Sequence, residues 1–112
     1  MNIGKIILTL IKVNRMAKTR SYKKSLIERL KNPKEAAAYL NAALLDDDLR
    51  VFLVALRDIV EAHGGISAIA KETELNRESL YRTLSLQGNP TLMSLFLLLD
   101  ALGLELQVKE AV

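Results

Sequence analysis

The chain has 112 residues, about one domain, and half of them are apolar, enough for a small hydrophobic core. It has no cysteine, one histidine and no tryptophan, which excludes disulfides, thiolate metal sites, a cysteine nucleophile and a histidine-built metal centre. The net charge of +3 conceals an asymmetry: residues 1–34 carry ten basic residues against Glu28 alone, and residues 35–112 carry six basic and twelve acidic ones.

A basic arm ahead of a mildly acidic body points to a polyanion or another acidic surface as partner, if it is not simply a solvated terminus. A Ser-His-Asp triad would need His63, and no nucleophile motif accompanies it. The reading is a cytoplasmic protein that is not an enzyme, with no cofactor and no metal.

Residues 1–15 are apolar and sparsely charged. The run Ile6–Ile11 is too short for a bilayer span, which takes about 20 residues, and no small-residue cleavage site follows it. No membrane association is expected. The segment is read as a non-native or disordered N-terminal extension, with Met16 the natural start. The alternative is an extra strand paired with the body. Residues 16–32 form the basic arm, and residues 33–112 the folded domain.

From Asn32 the chain reads as consecutive helices. Asn32-Pro33-Lys34-Glu35 is a start signal: Asn caps, Pro suits the first helical position, and Glu35 sits three beyond the cap. Asp46-Asp47-Asp48 reads as a turn and an acidic N-cap rather than a metal cluster. Leu49, Phe52, Leu53, Leu56, Ile59, Val60 and His63 follow one helical face, and Gly64 ends it. His63 is assigned a structural role. Short helices follow over about Ile66–Thr73 and Arg77–Leu84, then a loop over 85–90, then a last helix from Thr91 to Leu102. Leu92, Leu95, Phe96, Leu99 and Leu102 are expected to face inward. The core is expected to include Leu40, Leu44, Phe52, Leu56, Ile59, Ile69, Leu80, Leu95, Leu99 and Leu102. Residues 104–109 alternate strictly, as a half-buried strand does, and such a strand needs a partner from the chain's start or a second subunit.

Residues 66–85 have the spacing of a helix-turn-helix. Ala70 allows two short helices to cross closely, and Ile66, Ile69, Leu75, Leu80 and Leu84 can seal their underside. Asn76 caps the second helix. Arg77, Glu78, Tyr81 and Arg82 then face away from Leu80 and Leu84, and Ser79 lies near the helix start. Arginine can read guanine with two hydrogen bonds, and a hydroxyl can reach a phosphate or base edge. Asn76, Arg77, Glu78, Ser79, Tyr81 and Arg82 are therefore the candidate DNA-binding residues.

The segments Ile69-Ala70-Lys71-Glu72-Thr73, Arg77-Glu78-Ser79-Leu80-Tyr81, Gly88-Asn89-Pro90-Thr91 and Ala101-Leu102-Gly103-Leu104 carry a family resemblance. Ala37–Leu44 and Phe52–Ile59 add to it. Over about residues 20–110 the chain resembles the probable addiction-module antidote proteins, type II antitoxins with a lambda-repressor-like (Cro-type) helix-turn-helix. The family usually has glycine in the turn where this chain has Glu74. A side chain on a left-handed turn residue costs about 1 kcal/mol, so a slightly reshaped turn is expected.

The resemblance implies an all-α fold: a lambda-repressor-like helix-turn-helix bundle of about five helices with a short C-terminal β-strand. It implies an antitoxin that neutralises a RelE-type toxin and represses its own operon. The partners are then double-stranded DNA bearing a palindromic operator, the toxin, and a second copy in a homodimer. Strand 104–109 with Met93 and Leu97 is the expected dimer surface. Glu35, Asp46, Asp47, Asp48, Asp58 and Glu61, with Val51 and Val54, are the expected match to a basic toxin. The alternative is a stand-alone phage-type repressor with no toxin.

Overall fold

A computed structural model describes residues 20–85 and 89–112. The N-terminal extension with Met16, Lys18 and the middle of the 85–90 loop lie outside the described residues. Among the described residues six helices run in chain order: α1 Arg20–Leu30, α2 Pro33–Ala43, α3 Arg50–Ala62, α4 Ile66–Glu72, α5 Arg77–Leu84 and α6 Leu92–Ala101. No strand occurs among the described residues.

α1 lies within the basic arm. Its Leu26, Ile27 and Leu30 share one face and pack on the core. Lys23 Nζ reaches Glu61 Oε2 on α3 at 3.3 Å. A tight turn follows, with Asn32 N donating to Arg29 O at 3.1 Å. Asn32 then caps α2, its Oδ1 accepting from Lys34 N at 2.9 Å, and Pro33 opens the helix. α2 buries Ala36, Leu40 and Ala43, and the two alanines let its backbone approach α1 and α3 closely.

α3 is the organising helix and packs against α1, α2, α4 and α5. Ala55, Leu56 and Ile59 are fully enclosed. Its C-terminus closes in a Schellman turn: Gly64 N donates to Glu61 O at 3.2 Å and Gly65 N to Val60 O at 2.9 Å. Gly64 and Gly65 both have positive φ, 100° and 89°. His63 sits at the C-cap, half-buried, with Nδ1 3.0 Å from Ile59 O. α6 ends the same way, Gly103 N donating to Asp100 O (3.0 Å) and Leu104 N to Leu99 O (2.8 Å), with Leu104 packed back on the core.

Three expectations need correction. Leu44 falls at the C-cap of α2, beyond the inward face, and is 47% exposed. α6 is rotated relative to the expected register: Leu95, Leu98, Leu99 and Leu102 turn inward, while Leu92 and Phe96 are 63% and 47% exposed. The helix is apolar almost all round, so its contact with α4 decides the face rather than its own periodicity. The strand expected over 104–109 is not formed: past Leu104 the backbone has no ladder partner, and a lone strand gains nothing from pairing it lacks.

Candidate nucleic-acid interface

α4 and α5 are joined by the four residues 73–76 and pack against each other. The join is built from local hydrogen bonds. Thr73 Oγ1 accepts from Leu75 N at 3.1 Å, which folds the chain back and directs half-buried Leu75 onto the core. Asn76 takes extended backbone and caps α5, its Oδ1 accepting from Ser79 N at 2.7 Å. Ile69, Leu80 and Leu84 are buried between the two helices and α3, with Ile66 and Ala70 packed at their edge.

The outer face of α5 carries Arg77, Glu78, Tyr81 and Arg82, all exposed, with Ser79 half-buried beside them and Asn76 at the head. The exposed face of α5 thus collects Arg77, Glu78, Tyr81 and Arg82, with Ser79 at its half-buried edge and Asn76 capping the helix. Asn76 Oδ1 is engaged by its cap, which leaves its amide NH2 for an outside partner. Arg82 Nη2 is 3.4 Å from Ser79 Oγ, a loose contact that leaves the guanidinium free to reorient.

Arg82 and Ser79 also line a polar cleft of about 540 Å³ with Asn89, Thr91 and Ser94. Thr91 caps α6, its Oγ1 accepting from Ser94 N at 3.1 Å. Asn89, Thr91 and Ser94 were not among the candidates; the Thr-x-x-Ser cap pattern was the signal in the sequence that could have found them. On the other side, Tyr81 borders a groove of about 830 Å³ lined by Lys23, Val54, Arg57 and Glu61.

The carboxylates elsewhere are used locally. Asp46 Oδ1 accepts from Asp48 N (2.8 Å), and Asp48 Oδ1 from Arg50 N (2.9 Å), so Asp48 satisfies a helix-start donor although Leu49 is the formal cap. Asp48 also holds the Arg50 guanidinium in a forked pair, with its shortest contact at 2.7 Å, which raises the Arg50 pKa. Lys31 beside Glu28, at 2.8 Å, lowers the Glu28 pKa. Asp58 is buried and accepts from Tyr39 Oη at 2.7 Å, and Glu61 is paired with Lys23. Of the acids expected to form one face toward a toxin, Asp46, Asp48, Asp58 and Glu61 are thus engaged in separate local contacts. Among the described residues, no group of three or more His, Cys, Asp or Glu could hold a metal ion, and no helix is long and apolar enough to cross a membrane.

An uncharacterized protein of Haemophilus influenzae Rd is 38% identical over 84 residues, covering 75% of this chain and 86% of that protein. No solved structure matches. A family model described as "Probable addiction module antidote protein" matches residues 19–110, which spans α1 to α6 and all but the last two residues of the tail, and the chain belongs to that family.

Proposed function

We propose that the chain is the DNA-binding antitoxin of a type II toxin–antitoxin module, neutralising a RelE-type toxin in the cytoplasm and repressing its own operon. The observation that carries the DNA half of this reading is the outer face of α5: Arg77, Glu78, Ser79, Tyr81 and Arg82 stand together on a capped helix that α4 braces from behind. A helix so presented enters the major groove with its N-terminal side chains on base edges, as in a lambda-repressor-like helix-turn-helix. Arg77 and Arg82 supply forked donors for guanine, and Ser79 and Tyr81 supply hydroxyls for phosphate. Exposed Lys24, Arg29 and Lys34 add charge that acts on any sequence.

One such helix reads only a few base pairs, so the protein acts as a homodimer on a palindromic operator, its two α5 helices one turn of DNA apart, about 34 Å. Exposed Leu92, Met93 and Phe96 on α6 offer apolar surface for that association. The toxin half rests on membership of the antidote family. A RelE-type toxin binds RNA through a basic groove, and residues 35–112, with twice as many acidic as basic residues, have the complementary sign.

The test is co-expression with the neighbouring reading frame, scored by growth rescue and co-purification, beside gel shifts on the DNA upstream. Rescue, a stable complex and selective binding are expected. A neighbour that is harmless alone, or that does not bind this chain, removes the antitoxin reading; failure to prefer the upstream DNA removes the repressor reading.

A further inference from the structure

The tail leaves α6 through Gly103 and Leu104, and from there its backbone donors and acceptors find no partner among the described residues. Leu104 is held on the core, Leu106 is 40% exposed and Val108 fully so. These three lie at alternate positions and so share one face of an extended chain. Glu105, Gln107 and Lys109 share the other; Gln107 Nε2 lies 3.3 Å from Glu105 Oε1 on that face. An alternating segment with unpaired backbone groups, once extended, is a template for another strand.

We propose that this segment pairs with its own copy in a second chain, as an antiparallel two-stranded ribbon with its two-fold axis at Gln107. The charges and the pleat select that arrangement. With Gln107 opposite Gln107, Glu105 of each chain stands opposite Lys109 of the other, and Leu106 opposite Val108. Two opposite-charge pairs and two apolar pairs form, each on its proper face. A parallel pairing in register sets Glu105 against Glu105 and Lys109 against Lys109, which is repulsive. A one-residue slip mixes apolar and charged side chains on one face. A ribbon centred on Leu106 leaves Lys109 opposite Gly103 and forfeits both ion pairs. The ribbon grows from the C-terminus of α6, the helix whose N-terminal half bears exposed Leu92, Met93 and Phe96. This inference rests on the homodimer reading above and specifies its contact.

The experiment is sedimentation equilibrium of the full chain with Glu105→Lys, Lys109→Glu and the double reversal, beside mild oxidation of Gln107→Cys and Leu106→Cys. The chain has no cysteine of its own, so each thiol reports one position. Each single reversal is expected to raise the dimer Kd about tenfold, because symmetry turns two attractive pairs repulsive at once, and the double reversal to restore it. Gln107→Cys is expected to cross-link readily and Leu106→Cys poorly. An unaltered chain that is monomeric at tens of micromolar overturns both this pairing and the homodimer reading. A dimer indifferent to the single reversals, or one that cross-links through Leu106→Cys and not Gln107→Cys, overturns the ribbon and leaves the homodimer standing.

Discussion

The Tyr39 hydroxyl donates to Asp58 Oδ2 at 2.7 Å and ties α2 to α3 at a carboxylate that is 4% exposed. Hydrogen bonds to charged groups contribute about 1.5–3 kcal/mol, because the charge on the acceptor strengthens the bond. Tyr39→Phe keeps the ring and removes the bond. It is expected to lower unfolding free energy by about that amount in urea titration, with the m-value unchanged. A variant as stable as the parent would show that the bond has no net effect.

Leu56 lies at the middle of α3 with no exposed surface. Leu56→Ala removes buried methyls from a helix enclosed on several sides, where collapse around the gap is limited. A loss of about 2–5 kcal/mol is expected from thermal or chemical denaturation.

Gly65 has φ 89° and ψ −178°, a region that residues with a Cβ scarcely enter, although there is open space around it. Gly65→Ala is expected to cost about 1–3 kcal/mol from backbone strain alone. Gly103, with φ 76° and open space, stands at the left-handed position of a Schellman turn. Gly103→Ala should cost about 1 kcal/mol, and Gly103→Asn less. Melting curves that reverse this order would contradict the turn geometry.

Arg77→Ala and Arg82→Ala are each expected to reduce the preference for operator over random DNA by about 1–3 kcal/mol. Neutralising Lys24 and Arg29 should instead weaken binding to both DNAs alike and flatten the salt slope. Lys23 is a poorer probe of the same effect, since its removal also breaks the pair with Glu61. Competition binding at two salt concentrations separates the two classes.

Asn76→Ala removes the N-cap of α5 and should cost about 0.5–2 kcal/mol of stability. Because the same cap fixes the first turn of α5, operator affinity should fall by more than the stability loss explains, while the far-UV circular dichroism stays near that of the parent.

What the sequence made legible was whatever rested on local chemistry. Asn32-Pro33 and Asn76 mark helix starts because their caps are made by neighbours two or three residues away. Gly64 and Gly103 mark helix ends because both hold a positive φ that glycine adopts freely. The outward set on α5 followed from the spacing of Leu80 and Leu84. The features that escaped depend on distant partners. α1 is strongly charged and has only Leu26, Ile27 and Leu30 to bury, so α3 must be in place before its helix is worth forming. In α6, Leu92 and Phe96 are as apolar as Leu98, and only packing tells them apart. Strand 104–109 was legible as a pattern, but a pattern of alternation does not supply the neighbour that turns it into a sheet.

α3 packs against α1, α2, α4 and α5, and the amides along its Leu56–Ile59 face are the most deeply covered. Their deuterium uptake should require opening of the whole molecule, with one common opening free energy. The backbone of 105–112 should by contrast exchange at the speed of a free peptide in the isolated chain. Any slowing there at high protein concentration would register association directly, amide by amide, without a label.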